Sequence, residues 1–371
     1  MIWIDQQSPL DLALDRVAAN RVVAVDTEAD SLHSYFDKVC LIQISIPGED
    51  FVVDPLRKLD LARFGDVLAN RDITKILHGA DYDLRILNRD FGFTPANLVD
   101  TMICAQLLGY EAIGLAALLE RHFGLQLDKS HQRADWAQRP LPRDMLEYAS
   151  TDTRHLVELA EKLRAELEAL GRWEWALEEF ARLETIRWTE REEEEPFRRL
   201  KGIGGLDRRS LAVVRALYDF RDRLARTADR PPFKIFGNDV ILDAAKTKPQ
   251  KDAELPKMKA LTPGHRHRFG REIVRLVREA MALPEEQLPE RGESKPWLRD
   301  KELDARINAL KKVRDKYAAE LKIDGSVVAP RHVLAAVAAL RPKSVAELDS
   351  IPAMRTWQKR LLGNELVSSS K

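Results

Sequence analysis

The sequence predicts an α/β domain built on a mixed sheet and followed by all-α units, and three observations carry that prediction. Short β-branched runs alternate with helical patterns over roughly the first 110 residues. The first three of those runs follow one another too closely to leave room for helices, so they form an antiparallel meander rather than crossover-linked parallel strands. From about residue 144 the pattern is helical almost throughout, divided by Pro and Gly.

The expected strands are 21–26 (RVVAVD), 39–45 (VCLIQIS), 50–54 (DFVVD), 74–78 (TKILH) and the short 97–100 (NLVD). Helices are expected over 59–70, after the third strand, and over 81–92, after the fourth. Residues 145–170 carry apolar side chains at helical spacing without Pro or Gly and read as one long amphipathic helix. A second helical stretch runs to Glu195, where Pro196 stops it. The acids Glu192 to Glu195 are contiguous rather than spaced as a ligand loop, which makes them a solvated helix end or linker and not a calcium site. The expected boundaries are an α/β domain over 1–170, a helical linker over 171–200, a helical unit over 201–284, a Pro-rich charged linker over 285–297 and a smaller helical unit over 298–371 with frayed last residues.

A chain of 371 residues with 44% hydrophobic content exceeds one ordinary domain and supplies more than one core. Cys40 and Cys104 stand in apolar stretches without C-x-x-C spacing, so they read as buried thiols of a reducing cytosol rather than zinc ligands or a disulfide. The N-terminus meets acidic residues too early for a signal peptide, and no apolar run approaches the roughly 18 residues of a membrane span, so the expected location is cytoplasmic. The balanced total charge hides a division. Residues 1–196 hold 22 Lys and Arg against 37 Asp and Glu, a balance of −15, and residues 197–371 hold 38 against 23, a balance of +15. The basic part suits a polyanion such as nucleic acid, although Lys and Arg on helices are most often plain solvated faces.

Three acidic motifs carry the chemistry. The strand 21–26 ends in Asp26-Thr27-Glu28, and residues two apart on a strand share a face, so both carboxylates project together. On a strand this apolar, paired acids are costly unless a cation compensates them. Asp81 and Asp83 follow the strand 74–78 at a helix start, where Asp81 suits a cap and Asp83, deeper in the helix, suits chemistry. Tyr148 and Asp152 stand at i and i+4, which puts a phenol and a carboxylate on one helix face. Alone, Tyr-x-x-x-Asp arises by chance; in this order, four carboxylates and a phenol can hold two divalent ions about 4 Å apart across a phosphodiester, and oxygen ligands favour Mg²⁺ or Mn²⁺.

With VDTEAD, KVCLIQIS, HGADYDL, LVDTMICAQLLG, ADWAQRPL and YASTDTRHL in unbroken order, the chain resembles the DEDD exonucleases, in the subgroup with tyrosine in the last motif, and within it the ribonuclease D family. Residues 202–245 resemble an HRDC domain, the helical module shared by RecQ-type helicases and ribonuclease D, and the unit from about 298 resembles a divergent second copy. The resemblance implies an RNase H-like (DnaQ-type) exonuclease domain followed by all-α HRDC-like domains. It implies that Asp26, Glu28 and Asp152 bind the metal carrying the attacking water, that Asp26 and Asp83 bind a second, and that Tyr148 orients or helps deprotonate that water. It also implies 3′ to 5′ trimming of RNA, with tRNA precursors and other structured RNAs with free 3′ ends as partners and no obligate protein partner. Trp136, Arg139, Tyr35 and Phe36 are candidates for stacking on or pairing with a frayed 3′ end, and Trp136 is equally a core candidate. His78, His131 and His155 lack ligand spacing and read as structural, while His265 and His267 extend a basic surface. A DNA exonuclease and a non-catalytic nucleic-acid tether are the competing readings. A helicase is disfavoured because Gly202-Ile203-Gly204-Gly205 lacks the lysine of a phosphate loop.

Overall fold

The computed structural model describes residues 1–128, 130–189, 195–291 and 300–370. The linker acids Glu192 to Glu194 and residues 292–297 of the expected linker lie outside them.

Among the described residues, β1 (Ile2–Ile4), β2 (Val22–Ala29), β3 (Val39–Ile46), β4 (Glu49–Val53), β5 (Thr74–Leu77) and β6 (Leu98–Asp100) form one sheet. Its spatial order is β1-β4-β3-β2-β5-β6. The pairs β2/β3 and β3/β4 are the expected antiparallel meander. The pairs β1/β4, β2/β5 and β5/β6 are parallel, so the sheet is mixed.

Strand alternation sorts the side chains into two cores. Val23, Val25, Ile42, Ile44 and Ile46 face α1 (Gln7–Ala18), α2 (Ala62–Ala69) and α3 (Asp81–Phe91). On the other face Ala24 and Ile76 meet α4 (Thr101–Leu108), α5 (Leu115–Phe123), α7 (Leu156–Ala169) and α8 (Trp173–Leu183), while Leu41 and Val52 lie under α6 (Arg143–Arg154). Every residue of β3 is buried, as expected for a strand covered on both sides. Both cysteines are free and buried.

Three local expectations are corrected. The long helix expected over 145–170 breaks at His155, whose backbone (φ −103°, ψ 0°) leaves the helix. Two surfaces compete there: α6 sits on the sheet through Ser45 Oγ and Thr153 Oγ1 at 2.7 Å and through Arg154 to Asp50 at 2.7 Å, whereas Leu156, Leu159 and Leu163 of α7 enter the core with Cys104 and Leu107. The helix expected to reach Glu195 ends with α8 at Leu183, because Ile186 turns back into the core of the other sheet face. The C-terminal residues are not frayed, since the last helix runs to Ser369. Strand β1 and helix α1 escaped sequence reading, the first for its three-residue length and the second for want of a side-chain cap.

One compact unit takes Met1–Asp30, Lys38–Trp188 and the described residues from 300 on, and a second takes Ser31–Asp37 with the described residues between 189 and 291. The second unit packs α9 (Arg208–Thr227), α10 (Pro232–Ile235), α11 (Asn238–Thr247) and α12 (Pro263–Ala282) around Leu217, Phe236, Ile241, Ile273 and Val277. Within it Tyr35 donates its hydroxyl to Asp222 at 2.8 Å, and the backbone N–H groups of Tyr35 and Phe36 donate to Asp229 at 3.0 Å each.

In the first unit α13 (Lys301–Leu321), α14 (Gly325–Val328), α15 (Arg331–Leu340) and α16 (Thr356–Ser369) have their own core around Leu310, Val337 and Leu366. They are also fused to α8. Trp175 and Trp357 stack with centroids 4.6 Å apart and planes 11° from parallel, and Glu178 accepts the backbone N–H groups of Thr356 and Trp357 at 2.7 and 3.1 Å. Buried Arg172 donates to the carbonyls of Leu107 and Leu321, at 2.8 Å each. Gly109 closes α4 with φ +81°, and a methyl group there would collide with the carbonyl oxygen of Lys322. Gly109→Ala is therefore expected to lose about 1–3 kcal/mol of stability through strain and overpacking at this seam. Urea unfolding of the full chain measures it, and an unchanged midpoint would mean that the seam is looser than the geometry says.

Candidate active site

Strand β2 lies in the middle of the sheet, and its C-terminal end presents Asp26 and Glu28 on the face covered by α6. Helix α6 brings Tyr148 and Asp152 over them on one helical stripe. One carboxylate oxygen from each of Asp26, Glu28 and Asp152 lies within 4.8 Å of the other two. Asp83, in the first turn of α3, is 7% exposed and accepts the hydroxyl of Thr27, the residue between the two strand acids. Tyr148 lines a cleft of about 460 Å³ together with Asp26, Asp152 and His78.

Sequence reading did not single out Asp100 or the hydroxyl of Thr27. Asp100, 2% exposed, accepts the backbone N–H groups of Met102 and Ile103 as the cap of α4, and those of Gly79 and Ala80 at 3.0 and 2.8 Å. It thereby fixes the turn that launches α3 and aims Asp83. A carboxylate between a strand and a helix is a cap signal that was present in the sequence; its second pair of donors was not. Asp81 does not cap α3: its carboxylate pairs with Arg85 one turn on, at 2.7 Å. His78 receives an assigned neighbour in Thr101, 2.9 Å from its Nδ1.

The four proposed substrate contacts fall in different places. Trp136 is 1% exposed among Cys40, Leu41, Val52, Met145 and Ala149. Arg139 donates to Asp54 from Nε at 2.8 Å and from Nη2 at 2.7 Å, and the rest of its guanidinium is hydrogen-bonded to carbonyls. In this structure Trp136 offers a nucleotide no open face, its unpartnered indole N–H being buried, and Arg139 has no free donor. Tyr35 and Phe36 belong to the second compact unit, and Phe36 is 56% exposed.

The electrostatics of the carboxylate cluster are those of like charges buried together. Burial raises Asp26 well above the usual carboxylate range, assisted by the charges of Asp83, Asp152 and Glu28 and opposed by the Thr27 backbone N–H. Glu28 is pushed up to about 9 by burial, then by Asp152 and Asp83. Burial pushes Asp152 up to about 7. It pushes Asp83 up to about 6, held back by the Thr27 hydroxyl. Burial, then Asp152, Glu28 and Asp26, raise the Tyr148 phenol above its ordinary value. Among the described residues no Lys or Arg pairs with any of the four carboxylates. An all-oxygen donor set that is crowded and lacks a counter-charge fits a hard divalent cation.

The sequence matches the 3′–5′ exonuclease family over residues 1–168 and the HRDC domain over residues 210–277 and 304–369. Ribonuclease D of Acidiphilium cryptum is 32% identical over 98% of this chain and 91% of its own length. The chain belongs to the ribonuclease D family. Among solved structures, a protein from Bifidobacterium adolescentis aligns at TM-score 0.85 and 29% identity, covering 100% of this chain and 97% of that one. Escherichia coli RNase D, an exoribonuclease involved in structured RNA processing, aligns at TM-score 0.73 and 26% identity over 99% and 97%. The ribonuclease D family assigns the mixed-sheet domain its activity, that of a hydrolytic 3′ to 5′ exoribonuclease.

The cluster makes stability pH-dependent. Unfolded, these carboxylates ionise near their ordinary values of 3.8 for Asp and 4.5 for Glu; folded, they retain protons up to about 6, 7 and 9. The folded chain therefore binds more protons across that window, and its stability falls as pH rises. In chelator, the melting temperature is expected to drop from about pH 5 to pH 9, and Mg²⁺ is expected to restore it. A chelated protein that gains stability over that range would contradict the charge crowding.

Proposed function

We propose that this exoribonuclease works with two divalent cations, Mg²⁺ or Mn²⁺, and trims the 3′ ends of tRNA precursors in the cytoplasm. The observation that supports it is the convergence of Asp26, Glu28 and Asp152, from two separate elements, to within 4.8 Å. Those three would hold one cation, and Asp83 with Asp26 the other. Bound there, the cations supply an activated water and neutralise charge on the attacked phosphate and the leaving oxygen.

The chain's own groups do the rest. The phenol of Tyr148 keeps its proton at neutral pH, because burial, the largest cause of its raised pKa, does not depend on the carboxylate charges. It therefore donates a hydrogen bond and orients the attacking water rather than removing its proton. Thr27, by donating to Asp83, keeps that carboxylate more readily ionised than Asp152 or Glu28. Water reaches the reacting atoms through the cleft beside α6. Exposed Lys246, Lys251, Lys257, Lys259, Arg268 and Arg271 of the second unit offer contacts to RNA phosphates, which makes binding salt-sensitive. Phe36, 56% exposed with Arg226 5.9 Å from its ring centroid, is the most exposed of the four aromatic and guanidinium candidates and the one with ring surface left to stack on a base.

The test uses a tRNA with a 3′ extension and a matched DNA strand, each with Mg²⁺, Mn²⁺ or chelator. Stepwise shortening of the RNA is expected only with metal, with 5′-mononucleotides released. Asp26→Ala is expected to abolish it, and Tyr148→Phe to lower kcat by about 100-fold or more with KM little changed. Equal degradation of DNA would leave the metal site standing and remove the RNA preference. Survival of both strands in every metal, with RNA still bound, would make the protein a tether.

A further inference from the structure

An arginine beside a nuclease cleft invites assignment as a phosphate clamp, but Arg139 is built into the protein. Its guanidinium has five N–H donors, and each has a partner. Nε donates to Asp54 Oδ2 at 2.8 Å and Nη2 to Asp54 Oδ1 at 2.7 Å. The second Nη2 hydrogen reaches the Cys40 carbonyl at 3.0 Å, and Nη1 donates to the carbonyls of Trp136 at 2.8 Å and Gln138 at 2.7 Å. Three parts of the chain thus meet on one side chain: β3 through Cys40, the turn after β4 through Asp54, and the segment before α6 through Trp136 and Gln138. Asp54 is 0% exposed, so a guanidinium that swung out to bind RNA would leave this buried carboxylate with only the Leu56 N–H at 3.1 Å and Arg57 Nε at 3.5 Å.

The segment held this way is the one that grips Tyr148. Trp136 packs against the phenol with ring centroids 6.0 Å apart and planes 32° from parallel. His131, from the same segment, meets the ring edge-on at 5.6 Å and 71°, and its own Nε2 lies 3.3 Å from Asp144. The phenol meets both rings at the wall of the cleft it shares with Asp26 and Asp152. We infer that Arg139 and Asp54 are positioning residues for Tyr148: they staple the segment carrying His131 and Trp136 to the sheet, and those two rings set the plane of the phenol. Neither touches the RNA. The inference rests on the water-orienting role proposed for Tyr148.

The physical reason for such a device is that a phenol orients water only if its ring is held. Helix α6 fixes the Cα of Tyr148 but leaves two side-chain torsions open, and packing on a wall that is itself anchored closes them. A misplacement of about 1 Å in such a group costs up to about 100-fold in rate. Lysine at position 139 keeps the charge but not the planar fork, and asparagine at 54 keeps the shape but not the paired carboxylate oxygens.

The experiment uses the full chain labelled with 3-fluorotyrosine, in which the signal of Tyr148, one of six tyrosines, is identified by its disappearance in Tyr148→Phe. Without RNA or metal, that resonance is expected to be narrow in the wild type and displaced or broadened in Arg139→Lys and Asp54→Asn. On 3′-extended RNA the same variants are expected to lose kcat about tenfold or more, with KM and RNA affinity in chelator unchanged. In the Tyr148→Phe background they are expected to cause little further loss, because they act through the group already removed. An unmoved Tyr148 resonance, an equal fractional loss in both backgrounds, or a loss confined to RNA affinity overturns the inference, and the last makes Arg139 an RNA contact. If Arg139→Lys and Asp54→Asn fail to fold by circular dichroism, Trp136→Phe alters the same wall while leaving the staple in place; a displaced resonance supports the inference and an unmoved one overturns it. Full kcat in Tyr148→Phe would instead defeat the role proposed for the phenol, while the fluorotyrosine signal still reports whether the staple holds the ring.

Discussion

The crowding of four carboxylates in one partly buried place is the constraint on which the rest of this structure depends. Burial raises the pKa values of Asp26, Glu28, Asp83 and Asp152, and the charges of Asp83 and Asp152 raise Asp26 and Glu28 further. Such a cluster works against folding. It persists because the acids stand on three stretches of regular structure, β2, α3 and α6, whose packing is settled elsewhere, and because a divalent cation turns the same repulsion into affinity.

The supports of the cluster lie one step back from it. Asp100 ties the turn before α3 to the cap of α4, and Ser45 ties β3 to α6 through Thr153. Arg139 and Asp54 hold the segment behind Tyr148. These buried polar side chains are individually satisfied, and each joins elements distant in sequence, which is how a fold keeps reacting groups in place with rigid parts rather than loops. Among the described residues the buried amide of Gln43 and the indole N–H of Trp136 lack protein partners.

The helical parts divide into two kinds. The helices from α13 onward share a compact unit with the sheet domain and are locked to α8 by the tryptophan stack, by Glu178 and by buried Arg172. The other unit has its own core and takes Ser31–Asp37, which follow β2 in the sequence, with it. The positive balance of the chain beyond residue 196 is therefore shared between a module fused to the nuclease body and one that is compact in itself.

The sequence by itself determined the elements and the acids. Short β-branched runs too close together to leave room for helices marked the meander, and Asp26-x-Glu28 with Tyr148-x-x-x-Asp152 marked which side chains share a face, because strand and helix periodicities are set by local backbone geometry. Length and weak signals hid β1 and α1. Only the tertiary structure decided that the helix from 145 breaks at His155, since two surfaces pull on it in different directions, and that Glu178 and Trp357 meet across the chain. It also decided that Trp136 and Arg139 face inward. Composition makes both residues plausible RNA contacts, and what separates a contact from a support is whether its face and donors are already engaged, a property of partners such as Asp54 and Cys40 that lie about 85 and 99 residues away in the chain.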